Sequence, residues 1–394
     1  MQAGVYLHIP FCKSQCSYCD FATDVYRDSG AVERYVDALC REIKSEPPAL
    51  VGGRTSGEPH RNTNWPAANA AGSDIDTVYF GGGTPSLIDP EQVEKIIDSV
   101  FSVFSVADSA EITMEMNPAT VTPEKLAAFR ELGINRASFG VQTFNDRDLK
   151  LLARGHNAND ARNTFKMLRE AGFDNVSFDL IAGLPGQTMD DWKVNLDEAI
   201  KMSPEHISLY LLEIHESTPL AEQIRSGRRT PIDEELAAEM YEVMLDRLAA
   251  SGYEQYEISN FSKPGFESRH NTKYWQLEPV YGFGVSAHSF DGQERYANER
   301  DTERYVEMIE TDASAEVMRE VAHLASEFVF LGLRMQNGID LKGFAEKFGF
   351  DLMEKYNDEL AEIIDSGLIE TANGNLRLTR KGKLFSNEVS AVFV

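Results

Sequence analysis

The sequence has little cysteine, a deficit of basic residues and no long apolar run. Four cysteines in 394 residues are too few for a disulfide framework, which excludes the small disulfide-stabilised secreted proteins. Lysine and arginine number 38 against 64 aspartates and glutamates, and the resulting charge of −26 argues against nucleic acid or anionic lipid as a partner. No uninterrupted apolar stretch is long enough to span a bilayer, so we expect no direct membrane insertion.

The N-terminal residues also lack the features of a signal peptide. Met1 leads directly into a strand-like segment, without a charged start, an apolar stretch and a small-residue cleavage site. We therefore expect a cytoplasmic protein. Its length predicts one large domain and a smaller one.

Short β-branched or aromatic runs alternate with amphipathic helical patterns in the first half of the chain. The predicted strands are residues 5–10, 77–82, 111–116, 137–142, 175–181 and 206–213. The predicted helices are residues 31–46, 90–104, 122–132, 158–171 and 188–201. This alternation predicts an α/β fold with a parallel sheet, either doubly wound or closing toward a barrel. Polar residues at the ends of several strands favour a partial (βα)6 barrel, because that rim builds the site in α/β barrels.

Three regions are predicted along the chain. Residues 1–231 form the partial barrel, and residues 47–74, rich in Pro, Gly, Asn and Ala, form a flexible insertion in it. Residues 232–311 form a linking region that contains an aromatic loop at 260–275. Residues 312–394 combine helices with an Asn-Gly hairpin signal, an order that resembles a winged helix. Residues 311–394 hold 9 basic and 14 acidic side chains, a net charge of −5 that argues against DNA binding.

Three of the four cysteines lie within eight residues, just after the first predicted strand. Cys12, Cys16 and Cys19 have the spacing CxxxCxxC, and we call them the cysteine triad. Three thiolates leave one position of a metal or cluster open to a non-protein ligand. Two alternatives are a zinc site completed by His8 or Asp20, and reactive thiols without a metal. The remaining cysteine falls in a predicted helix, where a lone cysteine is usually a small buried apolar residue rather than a ligand.

The cysteine triad and the run Gly81-Gly82-Gly83-Thr84-Pro85 resemble the radical S-adenosylmethionine (SAM) superfamily. The resemblance implies that the triad holds a [4Fe–4S] cluster whose open iron binds the amino and carboxylate groups of SAM. Reduction then cleaves SAM to a 5′-deoxyadenosyl radical. The glycine run permits close approach of backbone to a ligand, although the same run also suits a simple tight turn.

Three further segments narrow the resemblance to the coproporphyrinogen oxidase-like branch of that superfamily. They are residues 6–12, 138–142 and 179–186. The resemblance implies SAM contacts from Tyr6, Tyr18, Gly82, Gly83, Thr84, Glu115, Gln142, Arg154 and Asp179. Singly, Arg154 also fits a surface ion pair and Glu115 a strand-end cap.

The segment from His270 to Trp275 resembles the HNxxYW signature of the HemW family of haem chaperones within that branch. This implies that the protein binds haem through His270 and delivers it to apoproteins such as respiratory cytochromes, including membrane-bound respiratory enzymes. Imidazole is a common ligand of haem iron, and aromatic faces pack on porphyrins. The alternative is that His270 and Asn271 fix a loop while Tyr274 and Trp275 fill a core. His288 is a second candidate ligand.

Two features separate this chain from the coproporphyrinogen dehydrogenase subgroup. That subgroup carries a further cysteine two residues after the third cluster cysteine, where this chain has Phe21. It also has a longer N-terminal arm before the first strand. These two features favour the haem chaperone. The alternative function is an oxygen-independent coproporphyrinogen III dehydrogenase, which decarboxylates propionates oxidatively.

Overall fold

A computed structural model describes residues 2–26, 28–45, 75–230 and 233–393. The strands are β1 (Ala3–Ile9), β2 (Phe11–Cys12), β3 (Asp24–Val25), β4 (Ile75–Gly82), β5 (Val106–Met116), β6 (Arg136–Gln142), β7 (Val176–Ala182), β8 (His206–Leu211), β9 (Glu254–Glu257), β10 (Asn260–Ser262), β11 (Val280–Phe283), β12 (His288–Phe290), β13 (Glu294–Asn298), β14 (Glu316–Val321), β15 (Ile339–Asp340), β16 (Ile369–Ala372) and β17 (Asn375–Leu378). The α-helices are α1 (Ser29–Ser45), α2 (Pro90–Val103), α3 (Pro123–Glu131), α4 (Asp146–Leu151), α5 (Ala158–Glu170), α6 (Met189–Met202), α7 (Pro219–Arg225), α8 (Glu234–Ala250), α9 (Arg269–Trp275), α10 (Thr302–Asp312), α11 (Leu324–Gly332), α12 (Leu341–Phe348), α13 (Leu352–Lys355), α14 (Asn357–Asp365), α15 (Arg380–Leu384) and α16 (Ser386–Ser390). Short 3-10 helices cover Pro85–Leu87 and Ala391–Phe393.

The predicted α/β class is confirmed. Strands β1 and β4 to β8 and helices α1, α2, α3, α5 and α6 coincide with the predicted elements to within a few residues, except that β5 begins five residues earlier. Local signals explain several helix starts. Thr122 caps α3 by accepting a hydrogen bond from the amide of Lys125, and Asp89 and Gln92 form a capping box at α2.

One predicted segment differs from the structure, and another lies outside the described residues. The aromatic loop predicted at 260–275 is wrong at both ends, where Asn260–Ser262 form β10 and Arg269–Trp275 form α9, and residues 263–268 between them are a loop. Helix α9 has only seven residues, too few for a clear helical period, and the hydroxyl of Ser268 caps it by accepting from the amide of Asn271. The insertion predicted at 47–74 lies outside the described residues.

The chain divides into two compact units. The first comprises Met1–Phe139, Asn159–Asp174 and Glu278–Val321. The second comprises Gly140–Ala158, Asn175–Leu277 and Ala322–Val394.

In the first unit the strand order is β14-β13-β12-β11-β1-β4-β5-β6. Strands β11, β1, β4, β5 and the start of β6 run parallel, whereas β12, β13 and β14 continue the sheet antiparallel. Strand β11 therefore returns to the edge of β1 after more than 270 residues of chain. The sequence analysis did not predict β11 to β14. Strands β11 and β12 have only four and three residues, and the pairing of β11 with β1 is long-range, but β12 and β13 pair as a local antiparallel hairpin that the analysis missed.

Apolar and polar side chains alternate along the strands, which gives the sheet of the first unit one apolar face and one polar face. Val5, Leu7 and Ile9 of β1 are fully buried, as are Phe80 of β4 and Met114 of β5. Residues between them point to the opposite face, because successive side chains of a strand alternate. The polar candidates for the site lie on that second face.

In the second unit β7 and β8 run parallel, and β10 and β9 extend them antiparallel in the order β7-β8-β10-β9. A separate sheet has the order β15-β17-β16, and the Asn373-Gly374 hairpin predicted between its last two strands is confirmed. Both turn residues have positive φ, 53° and 82°, as a two-residue hairpin turn of this kind requires. Among the described residues, no helix has the length and apolar character needed to cross a membrane.

Candidate functional site

The polar face of the first unit carries rows of side chains across neighbouring strands. Register pairs Tyr6 with Tyr79, Tyr79 with Thr113, and Thr113 with Arg136. One step toward the carboxyl ends, Glu115 of β5 pairs with a serine of β6. Because parallel strands keep register partners on the same side, Tyr6 and Glu115 share this face. The sequence analysis missed Tyr79, although its position two residues before the glycine run places it on this face by alternation.

The Glu115 carboxylate has a fixed position at the end of β5. Its Oε1 accepts from the hydroxyl of Tyr79 at 2.7 Å, and its Oε2 accepts from the amide of Gly82 at 3.2 Å. The strand-end cap considered from the sequence is therefore part of its role. The same bonds tie the end of β5 to the glycine run, so that a carboxylate stands where both segments end.

The glycine run is required by close packing. A Cβ on Gly82, whose φ is +108°, would lie 2.8 Å from the His8 ring, and one on Gly83 would lie 2.6 Å from the Pro10 carbonyl oxygen. Their amides are also engaged, since that of Gly82 reaches Glu115 and that of Gly83 donates to the Ile9 carbonyl at 2.8 Å. Absence of side chains thus lets the end of β4 lie against the segment that leads into the cysteine triad.

The cysteine triad occupies the loop that begins at β2. None of its three thiols forms a disulfide and all three are half-buried, and the amide of Tyr26 closes the loop on the carbonyl of Cys12 at 2.7 Å. The Thr84 hydroxyl lies 3.7 Å from Cys12 Sγ as a donor, while it accepts from Asn117 Nδ2 at 2.7 Å. Tyr18 is half-buried in the same loop. The triad, Tyr6, Gly82, Gly83, Thr84 and Glu115 therefore all belong to one unit.

Two other candidate ligands have different environments. His8 uses both ring nitrogens, Nδ1 at 3.1 Å from the Tyr6 hydroxyl and Nε2 at 2.9 Å from the Ala22 carbonyl, and burial lowers its pKa. These contacts argue against His8 as a zinc ligand. Cys40 is buried in α1, where its thiol donates to the Lys95 carbonyl at 3.6 Å and burial raises its pKa. Among the described residues, no group of three or more His, Cys, Asp or Glu side chains is arranged around a metal-ion position.

The remaining predicted SAM contacts lie in the second unit. Gln142 ends β6 in the left-handed region with φ +65°, a conformation that is uncommon for a residue with a side chain. Arg154 Nη2 donates to the carbonyl of Gly140 at 2.8 Å. A Cβ on Gly140 would lie 2.4 Å from Gln142 Nε2 and 3.0 Å from Arg154 Nη2, so this glycine makes room for both side chains. Asp179 is half-buried on β7, in register with a serine of β8.

His270 lies inside the second unit, on the first turn of α9. It is only 1% exposed, and its Nε2 lies 3.2 Å from the Tyr274 hydroxyl one turn later. The rings of these two residues meet edge to face with centroids 5.3 Å apart. His288 belongs to the first unit, where it is exposed at the start of β12.

A hydrogen-bonded chain that the sequence analysis missed ties the start of α9 to two barrel strands. The Ser177 hydroxyl of β7 lies 2.7 Å from His206 Nδ1 of β8, and His206 Nε2 lies 2.8 Å from the Tyr256 hydroxyl. That hydroxyl in turn accepts from the amide of Ser268, the capping residue of α9. No local pattern marks these residues, because they come from four separate segments.

Comparison with known proteins decides the family. The sequence matches the radical SAM superfamily over residues 6–199 and the HemN C-terminal domain over residues 321–385. It is 36% identical over 397 aligned residues to the haem chaperone HemW of Bacillus subtilis, an alignment that covers 99% of both chains. The chain belongs to the HemW family. The HemW of Escherichia coli is 29% identical over 99% of this chain and 98% of its own.

One solved structure supports the architecture of this HemW family member. Coproporphyrinogen III oxidase (HemN) from Escherichia coli, a radical SAM enzyme, superposes with a TM-score of 0.83 over 100% of this chain and 90% of that one. The two sequences are 22% identical, so the likeness concerns the fold. The predicted partial barrel with a C-terminal domain is confirmed.

Proposed function

We propose that this protein is a haem chaperone that binds haem and delivers it to apoproteins such as respiratory cytochromes. The observation that carries the proposal is the 36% identity, over essentially the whole length of both chains, to a protein named a haem chaperone. We propose a cytoplasmic location and haem-accepting partners that include membrane-bound respiratory enzymes. Nucleic acid is not among the proposed partners, given the charge of −26.

The cysteine triad is the proposed holder of a [4Fe–4S] cluster. Three half-buried thiols outside any disulfide, in one short loop, are a suitable donor set, since iron–sulfur clusters are held by thiolates. The Thr84 hydroxyl beside Cys12 supplies a hydrogen bond to sulfur, a contact that tunes the reduction potential of such clusters. When bound and reduced, the cluster supplies an electron to SAM.

SAM is proposed to bind through Tyr6, Tyr18, Gly82, Gly83, Thr84, Glu115, Gln142, Arg154 and Asp179. In the first unit, Tyr79 and the amide of Gly82 hold the Glu115 carboxylate, which is a suitable acceptor for an amino group. In the second unit, the Gly140 carbonyl orients the Arg154 guanidinium, a suitable partner for a carboxylate. These side chains orient the ligand, and the glycine run lets the backbone approach it closely.

Haem is proposed to bind through His270. The ring carries a nitrogen suited to iron, and it contacts the ring of Tyr274 on the same helix, which ends at Trp275. Ligation through Nε2 replaces the contact with the Tyr274 hydroxyl. Because the His270 side chain is buried, α9 or the residues that cover it must move when haem enters. Such a movement suits a protein that must also release haem.

The test has two arms that separate the chaperone from the dehydrogenase. Haem is titrated into wild-type protein, His270→Ala and the control His288→Ala while the Soret band is followed. We expect saturable binding by wild type and His288→Ala, and a shifted or weakened band in His270→Ala. Separately, the reconstituted protein receives SAM, reductant and coproporphyrinogen III. Robust turnover of coproporphyrinogen would overturn the chaperone proposal in favour of the decarboxylase.

Phe21 makes the second arm informative. This side chain is 71% exposed, two residues after the cysteine triad, at the position where the dehydrogenase subgroup carries a cysteine. We expect no turnover by the wild type. We also expect that Phe21→Cys alone does not confer it.

A further inference from the structure

The last residue of α9 meets an arginine from the C-terminal part of the second unit. The Arg334 guanidinium lies 4.4 Å from the centroid of the Trp275 ring, a cation–π arrangement. Its Nη2 donates to Glu257 Oε2 at 3.2 Å, and the Glu257 side chain is fully buried. The other carboxylate oxygen, Oε1, accepts from the amides of Ser259 and of the Asn260 side chain.

Two hydrogen-bond donors at this contact have no acceptor. Arg334 Nε and Trp275 Nε1 are both buried, and neither has a hydrogen-bond partner. Buried donors are normally satisfied, so two of them on stacked side chains are unusual. The Glu257 carboxylate is already occupied by three donors and leaves these two unmet.

The two donors fit one kind of ligand. A planar guanidinium offers paired N–H groups that match a carboxylate, and an indole N–H adds a third donor beside it. The Arg334 side chain keeps 25% of its surface exposed, but Nε itself is buried, so a ligand that meets Nε must displace the residues that cover it. Trp275 is half-buried.

The site lies on the helix that carries His270. Trp275 lies five positions after His270, about 7.5 Å along the helix axis and about 140° around it. This is the scale of separation between the iron at the centre of a haem and the carboxylates on its edge. A ligand with both groups therefore matches the distance between these two residues along α9.

We propose that Arg334 and Trp275 form a carboxylate-binding site that takes a propionate of haem. The proposal rests on the proposed function, in which haem binds through His270. The positive charge of Arg334 selects the ionised propionate, and Trp275 Nε1 donates to one of its oxygens. The hydrogen bond from Nη2 to Glu257 holds the guanidinium in place.

The experiment compares haem with iron protoporphyrin dimethyl ester, which has the same ring and iron but no carboxylate. Both are titrated into wild-type protein, Arg334→Gln and Trp275→Phe. We expect wild type to prefer haem by roughly ten- to a hundredfold, as a hydrogen bond to a charged group implies. Arg334→Gln should lose most of that preference. Trp275→Phe should lose part of it, because phenylalanine keeps an aromatic ring but has no N–H.

Arg319→Gln is the matched control, since Arg319 also stacks on an aromatic ring, 4.3 Å from the centroid of Tyr296, but in the first unit. It should keep the full preference for haem. Equal affinity of wild type for haem and its diester overturns the inference, as does an unchanged preference in both Arg334→Gln and Trp275→Phe. Absence of saturable haem binding by wild type overturns the proposed function and the inference with it. If Arg334→Gln fails to fold, Trp275→Phe alone decides.

Discussion

Replacing Glu42 by alanine removes the acceptor of a buried hydrogen-bond network in the first unit. Glu42 is 2% exposed on α1, and its Oε2 accepts from the amide of Gly284 at 2.8 Å and from the Tyr305 hydroxyl at 2.6 Å. Its Oε1 accepts from the side-chain amide of Asn298. The carboxylate thus joins α1 to three points of the segment Glu278–Val321, which contains β11 to β14.

The expected loss of stability follows from the three donors left behind. Each stranded buried donor costs about 1–3 kcal/mol. Relaxation and water entry reduce the sum, so we expect Glu42→Ala to lower the free energy of unfolding by about 3–5 kcal/mol, a large loss of the kind that follows when a buried hydrogen-bond network is broken. Glu42→Gln should cost less, about 1–3 kcal/mol, because one oxygen remains. Its new amide then faces the Asn298 amide, which also donates to the Gly284 carbonyl at 2.9 Å and is not free to turn.

Urea unfolding followed by far-ultraviolet circular dichroism measures these differences. Glu33→Ala is the control, because Glu33 lies on the same helix but is exposed, and its removal should change the free energy of unfolding by less than about 0.5 kcal/mol. The order Glu42→Ala, Glu42→Gln, Glu33→Ala is the expected ranking of destabilisation. If Glu42→Ala costs no more than Glu33→Ala, the network does not hold the segment and the reasoning is refuted.

Three further predictions concern the candidate site. Alanine at any member of the cysteine triad should abolish bound iron and sulfide after anaerobic reconstitution, whereas Cys40→Ala should retain both; loss in Cys40→Ala contradicts the ligand assignment. Glu115→Ala should weaken SAM binding by about 1–3 kcal/mol in calorimetry while iron content is kept, and equal affinity places SAM elsewhere. Burial lowers the pKa of His8 below 6.5, so the unfolded chain takes up the extra proton and stability should fall as pH drops through about 6.5. His8→Gln should flatten that pH slope of the unfolding free energy, and an unaltered slope excludes His8 as its source.

The amino-acid sequence alone determined the elements whose causes are local. Alternating apolar runs specify β1 and β4 to β8, and capping residues such as Thr122 fix where helices begin. The spacing of the cysteine triad and the order of motifs were enough to indicate the superfamily and the HemW family, which the comparisons confirm. Each of these features is confined to a few consecutive residues, so no knowledge of the fold is needed to find it.

Only the tertiary structure decided what depends on distant partners. Glu42 and Gly284 are 242 positions apart, and β11 pairs with β1 although no sequence pattern in either strand predicts this pairing. A lone glutamate in an amphipathic helix is ordinarily a solvated residue, and only its three buried donors make it an anchor. The contact of Arg334 with Trp275 has the same origin, because burial and unmet hydrogen bonds arise when separate segments of the chain come together.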